Sequence, residues 1–370
     1  MVQRAGHVRG VGPVILAWYG CDLRTGGIVE DLPSLAPSGP LSRRLGASTS
    51  AQFDLTLAGA PAGWQEATDH GRTLLVAVDT ETDRPIWAGL PLNRAGGSAP
   101  SVSFGAATPE AYLDRRYTGT HTLIQQDQAD VVTAVMTSAL SQGPPFVMDA
   151  PPTGVLMDFD VQDSDDRTIL SVLEELSGAE GGPEWTVDVE WADAAHTGFV
   201  LPVRVRPAIG LQSTNPEAVF DYPGCVTSYT LTESYEAGKG ATAVVARGEG
   251  EGESRLTSAS MVATALEAAG WPRYVHRFTP ASGVTDPAQL DAHATKALAL
   301  MQTGSNVWTF EAKVMESPRL GRDWGLGDTV QISVSRSPRH PSGTVAVARA
   351  WAWELEPAAD VLRPILVQED

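Results

Sequence analysis

The chain has 370 residues, 42% of them hydrophobic including 10 Trp, and a formal net charge of −19. This length exceeds one compact core and suggests two to four domains, and the apolar fraction excludes a disordered chain. Phosphate contacts need clustered Lys and Arg, so the acidic surplus excludes nucleic-acid binding as the main activity, although DNA can still pass such a protein without sticking.

Gly 36 and Pro 26 are aperiodic, which fits many short strands joined by turns. All but three of the 26 basic residues are Arg, the lysines being Lys239, Lys296 and Lys313. With so much Ala, Gly and Pro, this composition reads as that of a GC-rich genome, an actinobacterium or its phage. Cys21 and Cys225 lie far apart in apolar settings and are expected as buried free thiols rather than a disulfide. Met1 to Gly12 has no secretory apolar stretch, and no apolar run approaches the 18 residues of a membrane span.

Strand signals come first. Residues 13–19, 52–58, 73–79, 85–90 and Val102–Phe104 are apolar or alternating, with loops at 37–40 and 95–100. A short helix opens at Thr108-Pro109-Glu110, with Pro at its first position. From Asp127, an expected N-cap, Val131, Val132, Val135, Met136 and Leu140 share a helical face that Gly143-Pro144-Pro145 ends. A second helix is expected over 166–176, then strands at Trp185–Trp191 and Val200–Arg206. Strands at Val226–Leu231 and Ala241–Arg247 precede two more helices, Ser258–Ala269 and Asp286–Met301. The latter has Asp286 as N-cap, Pro287 at its first position, Gln289 completing a variant capping box, and a stripe of Leu290, Ala294, Ala297, Leu298 and Met301.

The last third alternates most strictly. Trp308, Phe310, Ala312 and Val314 oppose Thr309, Glu311 and Lys313; Val330, Ile332 and Val334 oppose Thr329, Gln331, Ser333 and Ser335. Ala346, Ala348 and Ala350, then Trp351, Trp353 and Leu355, make a less regular third run. Period-2 alternation means antiparallel sheet with one dry and one wet face. The expected fold is mainly β with α+β parts: a β-barrel domain over 1–118, an α+β domain over 119–213, and a second barrel over 214–370 carrying a helical pair at about 258–301.

Candidate chemistry is sparse. Asp158, Asp160, Asp163, Asp165 and Asp166 crowd together, but a calcium loop wants Gly at its sixth position and Glu at its twelfth, where this chain has Asp163 and Ile169. The bland reading, a solvated strand end plus acids at a helix N-terminus, outweighs calcium. Gly248, Gly250 and Gly252 alternate with Glu249, Glu251 and Glu253, whose charge would repel a phosphate. Gly238-Lys239-Gly240 is a turn. His7, His70, His121, His196, His276, His293 and His340 have no zinc spacing. No nucleophile elbow occurs, and neither Cys has an identifiable His partner. Trp185, Trp191, Trp308, Trp351 and Trp353 invite a carbohydrate-platform reading, but on alternating strands core or interface roles outweigh it. No catalytic, cofactor-binding or metal-binding residue is assigned, and no enzyme activity is expected.

The segment Glu110-Ala111-Tyr112-Leu113-Asp114-Arg115-Arg116-Tyr117 with the helix after Asp127, the block Ala269-Gly270-Trp271-Pro272, the run Thr285 to Ala294, and Leu326-Gly327-Asp328-Thr329-Val330 resemble minor tail proteins of siphophages that infect actinobacteria. The resemblance spans about Trp87 to Pro357. It implies a plan similar to the baseplate hub of contractile phages: two tail-tube-like barrels per chain and a homotrimer whose six barrels continue the tail tube. It implies tube or distal tail protein, tape measure and fibre proteins as partners, DNA passing without specific binding, synthesis in the host cytoplasm, and a place in the virion tail tip. It supplies no catalytic residues. A tail-associated cell-wall hydrolase and a glycan- or receptor-binding tail protein are the alternatives.

Overall fold

The computed structural model describes residues 15–248, 250, 254–280 and 286–368. The chain is mainly β. Its first sheet, sheet A, is antiparallel and runs in the order Ile28–Asp31, Leu16–Asp22, Thr73–Asp79, Arg84–Ala95, Ser101–Ala107, Ser50–Thr56, Leu35–Pro37. The edge strand Leu35–Pro37 is short and ends in Pro, which blunts further pairing. In Ser50–Thr56, Ala51, Phe53 and Leu55 are buried while Gln52, Asp54 and Thr56 are exposed. Thr73–Asp79 differs, with every residue buried. Its Leu75 and Ala77 enter one core, with Trp18, Phe53 and Trp87; its Leu74, Val76 and Val78 enter another. A strand covered on both faces reads as an unbroken apolar run, as TLLVAV does here.

The second core is closed by an α+β layer. Helix Gln128–Gln142 is capped by Asp127, whose carboxylate accepts from the Ala129 N–H at 2.9 Å. It turns Val131, Val132, Val135, Met136 and Ala139 inward. Helix Ile169–Gly178 packs Ile169, Val172, Leu173 and Leu176 into the same cluster. Beneath both lies strand Phe199–Arg206, parallel to Phe146–Asp149 and antiparallel to Glu184–Val187. Hydrophobic burial therefore joins this layer to sheet A through one continuous core.

Sheet B takes the order Val219–Tyr222, Thr329–Val334, Thr344–Glu356, Val361–Val367, Ser305–Lys313, Val226–Ser234. The first and last strands of this path are consecutive in the chain, joined across Pro223-Gly224-Cys225, so the sheet curls back on itself as a half-barrel. The expected alternation holds: Trp308, Phe310, Ala312, Val330, Ile332 and Val334 are buried. The irregular run over 344–356 contains a bulge at Ala350–Ala352, which shifts the phase and leaves Trp353 and Leu355 buried but Trp351 half-buried. Leu41–Arg44 leaves the sheet A region to pair with Ala352–Leu355, continuing the ladder where Thr329–Val334 stops. The buried sides of both sheets form one cluster, which crosses residue 118 and residue 213 alike.

A smaller sheet, Met261–Val262, Ala243–Ala246 and Val275–Phe278, is covered by helix Pro287–Met301 through Leu290, Ala294 and Met301. Asp286 caps that helix by accepting from the Ala288 N–H at 3.0 Å. Two expectations need correction. The helix expected over 258–269 is strand Met261–Val262 followed by helix Thr264–Ala268, because Ser258 and Ala263 are tied into the ladder: the Ser258 hydroxyl accepts from the Ala246 N–H and the Ala263 N–H donates to Thr242 O. The short helix expected from Pro109 is present over Pro109–Arg115, with Thr108 at its N-cap position, and is 3-10 in type. The helix expected from 166 begins at Ile169 with Thr168 as its cap, since Asp166 is left-handed at φ 49° and stops a preceding 3-10 turn. Among the described residues no helix is long and apolar enough to cross a membrane.

Candidate functional site

Three members of the acidic cluster accept from protein donors. Asp158 accepts from the Gln125 N–H at 2.8 Å and from its amide at 3.0 Å, which holds its carboxyl below the usual range. Asp160 accepts from Thr122 at 2.7 Å, and Asp165 from the Gln162 N–H at 2.9 Å. Among the described residues no group of three or more His, Cys, Asp or Glu is placed to hold a metal ion. Glu249, Glu251, Gly252, Glu253 and Thr285 lie outside the described residues, as do His7 and the first two residues of the strand expected at 13–19. His293 is buried, and burial pushes its imidazole pKa down. His196 stacks on Trp191 at 4.1 Å, and His340 Nδ1 lies 2.7 Å from the Tyr229 hydroxyl. Both cysteines are free and buried; burial raises the Cys21 thiol pKa far above normal and that of Cys225 to about 11, so neither is a nucleophile at neutral pH. Trp185, Trp308 and Trp353 are core residues, whereas Trp351 lies beneath the Arg349 guanidinium.

What the chain does bring together is a set of arginine forks where sheet A, sheet B and the α+β layer meet. Arg43, on the strand that crosses into sheet B, donates from Nη1 to Asp188 at 2.8 Å and from Nη2 to Thr186 at 2.9 Å and Val187 O at 2.5 Å. Its Nη2 also stands 3.6 Å from Glu110, a carboxylate only 1% exposed. Arg204 reaches Asp188 and Asp149, each at 2.6 Å, and Glu190; Arg206 reaches Asp149 at 2.7 Å. Arg349 grips Glu184 and donates to Gly327 O and Ile209 O. Arg319 pairs bidentately with Asp79 at 2.6 and 2.7 Å, tying the loop before Thr329 to the end of a sheet A strand.

Electrostatics follow from this wiring. Burial alone would raise the Asp188 pKa, but Arg43 and Arg204 outweigh it and hold the carboxyl low. For Asp79 burial is likewise overcome, by Arg319 and the Glu81 N–H. Glu110 goes the other way: burial exceeds what Arg43 and Thr108 return, so its pKa is raised, and one of its oxygens has no hydrogen-bond partner. The forks flank a cleft of about 720 Å³ floored by Arg43, Asp188 and Trp353 and rimmed by Asp83, Glu190 and Leu211. Carboxylates and guanidiniums interlinked in this way, with Asp188 and Asp149 each shared by two arginines, are suited to fixing geometry.

The Gly327-Asp328 turn docks into this junction. Asp328 accepts from the Leu211 N–H at 2.6 Å and the Gly325 N–H at 2.7 Å. Gly327 and Gly210 have φ of +82° each, and a Cβ on either would lie 2.2 Å from the other segment's backbone. The wet face of sheet B carries Thr230 directly opposite Thr309, then Gln331 and Ser333, with Glu311 paired to Arg363 at 2.9 Å and Lys313 to Glu316 at 3.1 Å. The arginine forks carry no sequence signal except the preference for Arg over Lys, which the composition reading assigned to genome bias.

No protein-family model and no curated protein matches the chain. Among solved structures, it is similar to the tail protein from Neisseria meningitidis MC58, with a TM-score of 0.58 at 11% identity over 96% of each chain. It is also similar to the 43 kDa tail protein of prophage MuSo2 from Shewanella oneidensis, TM-score 0.56 at 11% identity over 95% and 97% of the two chains. A third is prophage tail protein gp18 from Listeria monocytogenes EGD-e, TM-score 0.52 at 11% identity over 95% and 94%. At this identity the likeness establishes a shared fold.

Proposed function

We propose that this chain is a structural phage tail protein, a tail-tip hub that continues or caps the tail tube and connects it to tip or fibre proteins. The observation that carries the reading is likeness over the whole length: the three tail proteins above match from end to end, not through one common module. Sheets A and B form the two tube-like units, with the α+β layer outside, near the divisions at 118 and 213. Three chains then supply six such units around the axis, with tube, tape-measure and fibre proteins as neighbours, in the virion of an actinobacterial siphophage. No enzyme activity belongs to this role. Size-exclusion chromatography with light scattering tests the assembly, and cryo-EM of the particle tests the position. A trimer, or a ring at the tail tip, supports the reading; a monomer with no affinity for tail-tube protein overturns it.

A further inference from the structure

One set of aromatic side chains is held rigidly yet left open. Trp271 is 44% exposed and Tyr274 48% exposed, and both rings lean on Tyr235, with centroids 5.3 Å away in each case. The interplanar angles of 50° and 68° make a cradle around Tyr235 rather than a flat stack.

Each ring has its own anchor. Trp271 ends a Schellman cap on helix Thr264–Ala268: its N–H donates to Leu266 O at 3.0 Å, while Gly270, at φ +89°, donates to Glu267 O at 3.0 Å. Tyr274 is pinned through its backbone by buried Thr242, whose hydroxyl accepts from the Tyr274 N–H at 2.8 Å and whose N–H donates to Tyr274 O at 2.9 Å. Tyr235 lies between two glycines; a Cβ on Gly240 would come within 2.4 Å of its ring and one on Gly304 within 3.1 Å. Its hydroxyl donates to Gln302 O at 3.4 Å. Between the two exposed rings in sequence, Arg273 is held flat by Glu267 through two hydrogen bonds of 2.5 and 2.9 Å.

We propose that Tyr235, Trp271 and Tyr274, with the Arg273–Glu267 pair beside them, form a binding site for an oligosaccharide of β-linked gluco-configured pyranoses. Such sugars present a face of axial C–H bonds that an electron-rich ring attracts, while their equatorial hydroxyls project sideways to planar donors and acceptors. The surroundings suit a sugar's hydroxyls: Arg273 with Glu267 at 2.5 Å, and Lys239 with Glu236 at 3.0 Å, supply paired donors and acceptors beside residues that carry the rings. Preorganised rings also spare a ligand the entropy of ordering them. The site stands independently of the tail reading.

The full chain is titrated with cellotetraose and with chitotetraose, followed by tryptophan emission and isothermal calorimetry. Saturable binding of at least one tetraose is expected, weakened at least about tenfold in Trp271→Ala and in Tyr274→Ala and kept within about threefold in Trp271→Phe. Unchanged thermal melts establish that the variants fold. No saturable binding of either tetraose at roughly 10 mM in the wild-type chain overturns the proposal. Undiminished binding in both alanine variants, or a Trp271→Ala effect confined to oligomeric state, overturns it as well.

Discussion

Replacing Arg43 by Met removes the one cation shared by strand Leu41–Arg44, Asp188 and the fully buried Glu110. Asp188 keeps Arg204 at 2.6 Å, so the larger burden falls on Glu110, whose pKa is already raised by burial with Arg43 in place. Breaking a buried pair from one side costs about 3–5 kcal/mol when the remaining charge cannot leave. Glu110 escapes by taking a proton, which makes the cost depend on pH. A carboxyl whose folded pKa lies above its unfolded value binds more protons folded than unfolded, so stability falls as pH rises through that window, by about 1.4 kcal/mol per unit. Losing Arg43 raises the Glu110 pKa further and widens the window. Asp188 acts in the same direction: its depressed pKa gives the wild type stability above the unfolded value that is lost on acidification, and the variant has less of it to lose. Urea unfolding followed by tryptophan emission should therefore show Arg43→Met about 3–5 kcal/mol less stable at pH 8 and only about 1–2 kcal/mol less stable near pH 5. Adding Glu110→Gln should return roughly 2 kcal/mol at pH 8 and flatten the pH dependence of the gap. A gap equal at both pH values, or a double variant weaker than Arg43→Met alone, would refute the reasoning.

Other outcomes follow from the same geometry. Gly327→Ala puts a Cβ 2.2 Å from Ile209 O at a φ of +82°, so a loss above about 3 kcal/mol is expected in urea, with Gly325→Ala, whose Cβ would meet only Asp328 Oδ2 at an ordinary 3.8 Å, as the milder control. For Asp79 and Arg319, each nearly fully buried, a double-mutant cycle with Asn and Met should give a coupling of about 2–4 kcal/mol, and additive single losses would show the fork to be idle. Asp127→Ala removes the cap of helix Gln128–Gln142 and the tie to the Thr153 and Gly154 N–H groups at 2.9 and 2.8 Å; a loss of about 1–2 kcal/mol is expected, and no change in melting would refute the capping role.

Side-chain period made much of the β framework legible, because one dry face leaves its imprint on every second residue. The strands over 308–314 and 330–334 and the caps at Asp127 and Asp286 stood where local chemistry put them. Strand Val361–Val367 was not legible, since Pro364 within it argues against a central strand. The sheet accommodates Pro364 at a break in the ladder. Pairing with Ser305–Lys313 runs through Thr309–Ile365 and resumes at Ala312–Leu362, while the Arg363 side chain bridges the gap to Glu311 at 2.9 Å. The crossing of Leu41–Arg44 into sheet B was hidden for a different reason. Four residues with two arginines carry no period, and their partners lie some three hundred positions away. The exposure of Trp271, named only within the Ala269–Pro272 block, was not legible because it depends on a helix cap and not on strand alternation.

The placement of charge sharpens the tail-tube reading. A net charge of −19 had suggested an acidic passage for DNA. On the proposed reading the wet face of sheet B lines the passage or meets a neighbouring subunit, and that face is rich in hydroxyl and amide groups: Thr230, Thr232, Thr309, Thr329, Gln331 and Ser333. Its charges cluster: Arg363 is shared by Glu311, Glu356 and Glu354, and Lys313 pairs with Glu316. A wall of this kind offers phosphate few fixed cations, so a polyanion would meet few places to stick. Arg43, Arg319 and Arg349 are committed to buried forks at Asp188, Asp79 and Glu184, where planar guanidinium geometry fixes the sheets against each other. Lysine at those positions would lose the fork and leave a single point charge in its place. On the proposed reading, the planar forks stiffen the junction of the sheets while the hydroxyl-rich face limits adhesion.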